Sequence, residues 1–507
     1  MKHITRSLTD RLSSRLFWYI IVGFFTAQAL WFVLSAVYPM PFDEDFHMGV
    51  IRIYSEQWSP FLSGQPPNAD QFGAIARDPS YFFHYLMSFP YRLITLVTSS
   101  EAAHVIFLRL INVGLFVYSL VLFRKLLLRA KTSPALTHVI LALFTLIPIV
   151  PQLAAHVNYD NLLMVLLPLL CLAVLNLVES FQRKQVNVLA LFGFIAISLC
   201  MSVVKYAALP FLIAATVSVV AAAVLYFRRV PSRLVPAIRS DLKQSQRPLF
   251  VALLALCLLG VVLFVQRYGV NLVHYKTPVP DCGQVLTTEQ CLSYGPWGRD
   301  YYLEQSRPVD FEASPTQYLG HWFWGMWYRL FFAVSGPAND YANYPPLIFP
   351  GAAAIGIGLV GLVCTVWYCR EVFRSSRYLF FFAGLTLVYV ITLWIDQFGM
   401  YKQTGQPVAI NGRYLIPVLP LVAALFGRGI SIAIAHAPKL PVLRIKAVAA
   451  CSALILFLYG GGVLTFILRS EDSWYWPSAT VEEVNHAAQD ILHPLIIEGS
   501  REEPNAP

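Results

Sequence analysis

Residues 17–38 read FWYIIVGFFTAQALWFVLSAVY, an uncharged run of 22 positions that stops at Pro39-Met40-Pro41 and opens onto Phe42-Asp43-Glu44-Asp45-Phe46-His47. A bilayer core of about 30 Å needs about 20 helical residues at about 1.5 Å rise each, so this run is long enough to cross one. It is too long for the apolar centre of a signal peptide, and Ser35-Ala36-Val37-Tyr38 makes a poor cleavage site, so it reads as a retained anchor. Comparable runs recur, placing spans at 17–38, 104–123, 135–151, 161–179, 187–204, 207–227, 249–268, 347–368, 378–395, 414–434 and 446–468. Composition agrees: 57% of the 507 residues are hydrophobic and 13% charged, whereas a soluble domain carries about a quarter charged residues. The short alternating segments of a closed barrel do not dominate. The expected fold class is an all-α polytopic membrane protein, a bundle of about eleven transmembrane helices.

Orientation follows from Lys and Arg in the short connections. The N-terminus carries Lys2, Arg6, Arg11 and Arg15. Every second connection is also basic: Arg124, Lys125, Arg129 and Lys131; Arg183 and Lys184; Arg228, Arg229, Arg233, Arg239, Lys243 and Arg247. The phase continues through Arg370, Arg374 and Arg377 to Lys439, Arg444 and Lys446. These connections are expected on the cytoplasmic side, with the N-terminus inside and the C-terminus outside the cell inner membrane. The net charge of +9 is then topology and membrane surface, and no nucleic-acid partner is expected.

Residues 1–468 form the expected transmembrane domain and 469–507 an extracytoplasmic tail, polar beyond Trp476 and frayed to its end at Glu502-Glu503-Pro504-Asn505-Ala506-Pro507. The extracytoplasmic loops are 39–103, 269–346 and 396–413. Within the first, Ser80–Val97 is apolar but carries His84, Pro90 and Arg92, which suits a helix lying in the interface. Counting it as another span would invert every basic connection downstream. The 269–346 loop holds His321-Trp322-Phe323-Trp324-Gly325-Met326-Trp327-Tyr328, readable as an interfacial aromatic anchor or as a wall for a lipid-linked substrate. It also holds Cys282 and Cys291, nine positions apart, which suit a disulfide in an oxidising compartment or, less readily, half of a metal site. Cys171, Cys200, Cys257, Cys364, Cys369 and Cys451 lie in or beside spans as small apolar residues.

The candidate chemistry starts where the first run ends. Asp43, Glu44, Asp45 and His47 could deprotonate a hydroxyl or coordinate a divalent ion, or form no more than a solvated acidic loop. Arg109 and Asn112 fall inside the second run, in its outer half. Lys205-Tyr206 occupies the turn after the fifth, and Asn411-Gly412-Arg413-Tyr414 precedes the tenth. The topology puts all of these near the membrane face that holds Asp43. Charges at such depth are paired or functional, or they snorkel to the headgroups. Cations there suit a phosphate, which Arg can bind bidentately. His156-Val157-Asn158-Tyr159-Asp160-Asn161 forms the turn before the fourth run, where an Asn or Asp can cap the next helix.

In this order the motifs resemble the GT-C superfamily of membrane glycosyltransferases, which includes protein O-mannosyltransferases and aminoarabinose transferases acting on lipid A; the chain is similar to an uncharacterised bacterial branch. The resemblance rests on Asp43-Glu44-x-x-His47, Asp78-Pro79-Ser80-Tyr81-Phe82, Arg109-x-x-Asn112, Asn158-Tyr159-Asp160-Asn161, Lys205-Tyr206 and Asn411-Gly412-Arg413-Tyr414 before Leu415-x-Pro417. At Arg77-Asp78-Pro79-Ser80 the chain lacks the His and second Pro usual there. The resemblance implies a GT-C-like bundle and transfer of a sugar from a polyprenyl-phosphate donor to an envelope acceptor (glycan, lipid or protein) on the extracytoplasmic face. It makes Asp43 the base, with Glu44, Asp45, His47 or Asp78 in support or in its place. It assigns the donor phosphate to Arg413, Lys205, Tyr206 and Arg109, and the substrate pocket to Asn158, Asp160, Asn161 and Tyr414.

A divalent cation (Mg, Mn or Ca) stays open as a cofactor. The sequence holds no Gly-rich phosphate loop and no nucleotide-sugar signature. The competing class is a flippase or exporter of lipid-linked glycans or another amphiphile. Such transporters often show pseudo-symmetric halves and broken midplane helices, and neither pattern stands out here.

Overall fold

The apolar runs begin as helices where a short polar side chain caps them. Ser14 accepts the Phe17 N–H at 3.1 Å, Asn158 that of Asp160 at 2.8 Å and Asn187 that of Ala190 at 2.8 Å, with Ser100 and Ser133 acting alike. The computed structural model describes residues 2–41, 43–228, 234–244, 246–331, 334, 348–436 and 442–496. Of the positions singled out above, Phe42, Arg229, Arg233, Lys439, most of 332–347 and the 497–507 end lie outside the described residues.

The chain is an all-α, multi-pass membrane protein. Among the described residues, eight helices are long and apolar enough to cross a bilayer: Arg15–Ser35, Glu101–Arg129, Tyr159–Gln182, Tyr206–Phe227, Arg247–Tyr275, Phe349–Trp367, Arg377–Thr404 and Leu419–His436. Shorter apolar helices, Pro134–Thr145, Val188–Val204 and Ile445–Leu458, stand at the three other expected positions. Among the described residues, strand pairing is confined to an isolated antiparallel bridge between Ala36 and Tyr475.

Two expected spans are interrupted. The 135–151 run breaks before Pro148 into Pro134–Thr145 and Ile149–Ala154. The 446–468 run breaks at Gly460-Gly461-Gly462, where Gly460 (φ 102) and Gly462 (φ 61) take backbone conformations that strain other residues. The breaks meet: Gly462 N–H donates to the Leu146 carbonyl at 2.7 Å, so each satisfies a backbone group freed in the other. The Tyr159–Gln182 helix is the most enclosed of the eight and runs through the core.

The connections fall at two ends, in the alternation that the basic residues imply. At one end Arg129 meets Glu179 at 2.6 Å, Tyr378 donates to the same carboxylate at 2.5 Å, and Arg377 reaches the Tyr226 hydroxyl at 3.1 Å. Arg124 donates to His138 there at 3.0 Å, and His138 contacts the Leu12 carbonyl. Asp43, Arg109, His156, Lys205 and Arg413 gather at the other end.

That other end carries two folded additions. The first connection forms the helices Glu44–Ser55 and Phe82–Thr95. The second of these buries Phe83, His84, Met87 and Ser88 and leaves Leu86 and Leu93 exposed, an amphipathic pattern. The chain after Trp476, expected to fray, instead forms the helix Ala479–Leu492 and docks on the first long helix. Asn485 accepts from the Trp31 indole and donates to Ser35 Oγ, both at 3.0 Å, and Trp476 N–H donates to the Ser35 carbonyl at 2.9 Å. A short polar helix with a buried Asn is held by these long-range bonds, which its composition does not announce.

Candidate functional site

The chain leaves the Arg15–Ser35 helix and enters Glu44–Ser55 at Asp43, whose backbone is left-handed (φ 72). A non-glycine residue stays in that region when its surroundings hold it. Here the Asp43 carbonyl accepts the His47 N–H at 3.0 Å, and its carboxylate meets the Arg413 guanidinium at 2.6 Å. The two partners differ in access: the Asp43 side chain is 52% exposed and that of Arg413 only 6%. Burial opposes the Asp43 charge, but Arg413, with a smaller contribution from Lys205, outweighs it and holds the carboxyl below the usual range. Burial likewise opposes the Arg413 charge, and Asp43 more than compensates, so Arg413 is pushed up.

Arg413 is placed by the aromatic helix Pro315–Phe331. A β-carbon on Gly412 would stand 2.5 Å from the Met326 carbonyl oxygen, so only glycine lets this turn pack there. Asn411 accepts the Arg413 N–H at 3.0 Å. The Trp322 indole donates to Gln397 at 2.6 Å, and Gln397 donates to the Ala409 carbonyl at 2.7 Å. Tyr318, Trp322 and Met326 are buried in this contact, while Phe323 and Trp324 are exposed. The aromatic run therefore serves inward as a support for the Arg413 turn and presents its remaining rings outward.

Glu44 is wholly buried. Arg109 Nε and Nη2 donate to its two oxygens at 2.8 and 2.6 Å, and the Met40 and Val157 N–H groups add bonds at 2.8 and 3.2 Å. Burial alone would raise Glu44, and Arg109 overrides it, leaving the carboxyl below the usual range. Arg109 also donates to the Ala36 carbonyl at 2.5 Å and lies 5.3 Å from the Trp476 ring, so each of its three nitrogens has a partner within the protein. Asn112, one turn along the same helix, accepts from Asn161 at 3.1 Å, and Asn161 also donates to the Leu153 and His156 carbonyls. Two of the sequence motifs thus form one buried strut.

Lys205 caps the Val188–Val204 helix and reaches Asp160 at 2.5 Å, both nearly buried. Its ammonium stands 4.6 Å from the Tyr159 ring and 5.1 Å from that of Tyr414, a cation between two aromatic faces. The neighbouring Tyr206 N–H donates to Ser80 Oγ at 3.0 Å, tying this turn to Asp78-Pro79-Ser80. Asp78 accepts the Ser80 N–H at 2.8 Å; burial pushes its carboxyl up, against the pull of Ser80 and Arg267. Asp45 is exposed and takes part in none of the ion pairs among the described residues.

His47 packs against His84, a residue the sequence reading left in its interfacial helix, with Nδ1 and Nε2 2.8 Å apart. Burial drives both imidazoles toward neutrality, His84 to about 3. The reading also missed Arg267, which is completely buried at the end of an apolar run, donates to the Ala76 carbonyl and lies 4.4 Å from the Tyr81 ring. A charge inside a span-length run was the available signal, the same one that picked out Arg109. Tyr294 was missed as well. It sits in the lobe closed by the bonded pair Cys282–Cys291, 6.1 Å from the Phe46 ring, and rests against Gly73. Nothing in its local sequence marks it.

No family model and no curated protein matches the chain. Its chemistry has to be argued from the geometry. Among the described residues no three Asp, Glu, His or Cys side chains converge as metal ligands. Both Glu44 oxygens are taken by Arg109 and backbone N–H groups. The donor set suits ion pairing with cations better than a divalent ion.

Proposed function

We propose that the protein is a GT-C-type glycosyltransferase of the cell inner membrane, a hexosyl- or pentosyltransferase. It moves a sugar from a polyprenyl-phosphate donor to an envelope acceptor on the extracytoplasmic face. The observation that carries this reading is Asp43: a half-exposed carboxylate held 2.6 Å from a buried arginine, with the aromatic-flanked Lys205 in the same electrostatic neighbourhood. Sugar transfer from a phosphate needs a carboxylate to take the acceptor's proton and cations for the departing phosphate. In this reading Asp43 is the base, and Arg413 and Lys205 hold the phosphate. Glu44 and Arg109 are positioning residues that fix the start of the Glu44–Ser55 helix, and His47 supports that helix as a neutral imidazole. Tyr414 flanks the Lys205 ammonium, Tyr206 ties the Lys205 turn to Ser80 beside Asp78, and Asn158, Asp160 and Asn161 build the turn that presents Lys205.

The orientation is part of the proposal. All eleven apolar helices cross, two of them in runs whose breaks meet and satisfy each other, with the N-terminus cytoplasmic and the C-terminus outside. Reporter fusions at Lys131 and Lys243 should report cytoplasm, and fusions at Gly283 and the C-terminus should report the outside; the reverse at Lys243 moves the site to the wrong face. The function is tested with purified protein in lipid, incubated with polyprenyl-phosphate sugars and envelope glycans, while a deletion strain is analysed for the lipid-linked sugar that accumulates. Accumulation without transfer by the purified protein, together with movement of the lipid-linked sugar across vesicles, would replace the enzyme reading with a flippase.

A further inference from the structure

The cations assigned to the donor phosphate are already neutralised. Arg413 is held by Asp43 at 2.6 Å and Lys205 by Asp160 at 2.5 Å. The two pairs are not equally replaceable. The Asp160 side chain is 4% exposed, in a turn capped by Asn158, whereas Asp43 is 52% exposed and stands on a left-handed hinge residue ahead of its helix. An incoming anion can therefore displace Asp43 from Arg413 far more readily than it can displace Asp160 from Lys205.

Resting on the glycosyltransferase reading, we propose that the Asp43–Arg413 pair is a lock opened by the donor phosphate, so that donor binding precedes and creates the base. While Arg413 grips it, Asp43 is a weak base. The groups facing Asp43 are Arg413 from the 411–415 turn, His156 and Tyr159 around the start of Tyr159–Gln182, Lys205 from the end of Val188–Val204, and Tyr294 from the disulfide lobe. His156 is kept neutral by burial and Lys205 stays with Asp160, so Arg413 is the charge whose transfer matters. Once phosphate takes Arg413, the carboxylate loses its nearest cation, keeps its partial burial and gains an anionic neighbour. All three changes raise its affinity for a proton.

The acceptor oxygen then bonds to the anomeric carbon as its O–H proton passes to Asp43. The bond from that carbon to the phosphate oxygen breaks, and its electron pair leaves as polyprenyl phosphate on Arg413. After this product departs, Asp43 gives its proton to water and re-forms the ion pair.

The test uses the full-length protein in lipid nanodiscs and polyprenyl phosphate as the probe. Carbodiimide labels the protonated carboxyl, so labelling of the Asp43 peptide against pH, read by mass spectrometry, reports its titration midpoint. Polyprenyl phosphate should move that midpoint up by about 1–3 pH units. Arg413→Gln should start from the raised midpoint and respond no further. If polyprenyl phosphate binds, as measured separately with the radiolabelled lipid, and the wild-type midpoint stays still, the lock is wrong while the donor reading stands. If the lipid does not bind at all, the donor reading falls and takes the lock with it.

Discussion

Asp43 and Glu44 are adjacent in the chain, and each meets an arginine at 2.6 Å, yet the two pairs differ in kind. Glu44–Arg109 is completely buried, and backbone N–H groups fill the acceptor capacity that Arg109 leaves. Asp43–Arg413 joins a half-exposed carboxylate to a buried cation. A buried pair with every partner satisfied is rigid, and removing one member strands the other in a medium that cannot solvate it. A pair open on one side can exchange its carboxylate for another anion at little structural cost. Identical chemistry one residue apart therefore gives a closed strut in one case and a solvent-facing pair in the other, decided by which carboxylate faces solvent.

The sharpest way to break this comparison is Asp43→Asn, which keeps size and hydrogen bonding but removes the proposed base. Transfer should fall about 10²–10⁴-fold while Tm and polyprenyl-phosphate binding persist. Near-wild-type transfer by the folded variant would pass the role of base to Asp45 or Asp78. Glu44→Ala or Arg109→Ala should instead destabilise the fold by about 3–5 kcal/mol, read as lost folded protein in detergent. Replacing both with apolar residues, Glu44→Leu with Arg109→Met, should recover part of that loss. No recovery in the double variant would show that the pair orders the helix in some way other than charge compensation.

Arg413→Ala removes a charge-assisted bond worth about 1.5–3 kcal/mol and should weaken polyprenyl-phosphate binding about 10- to 100-fold. Lys205→Ala, combined with Asp160→Asn so that no carboxylate is left buried alone, should weaken it less, because an ammonium lacks the bidentate fork. A larger effect at Lys205 would reverse the assigned order of the two cations.

The smallest expected effect separates the pairs by acid. Both carboxyls are depressed in the folded protein, so each contributes stability above its unfolded value that is lost as pH falls through its folded value. Solvent screens the half-exposed Asp43, so most of the loss below the usual carboxylate range should come from Glu44. Asp43→Asn should therefore leave the acid unfolding midpoint almost unchanged.

Much of the architecture was legible in the residues. The apolar runs fall on helices in order, and the alternation of basic connections matches the two ends that the contacts define. The interfacial stretch after Ser80 is a helix with one buried face. Where reading failed, the cause was a local signal too weak against a distant partner. Gly460-Gly461-Gly462 sits within an apolar run that averages as a span, and its break is stabilised by Leu146, more than three hundred residues earlier. The helix after Trp476 has ordinary polar composition and owes its place to Trp31 and Ser35. The three polar motifs around Arg109, Lys205 and Arg413 were visible as charges at unusual depth, and the 156–161 stretch as a polar turn, but their partners were not.

The sequence by itself determined what depends on neighbours along the chain: helix positions and the end of the bundle at which the polar residues collect. Hydrophobic length and the placement of Lys and Arg act locally, so they can be read one segment at a time. Only the tertiary structure decided that Glu44 belongs to Arg109 while Asp43, one residue earlier, belongs to Arg413, 370 positions away. That choice depends on how the helices pack and on which oxygen is left facing solvent, and neither quantity exists until the chain has folded.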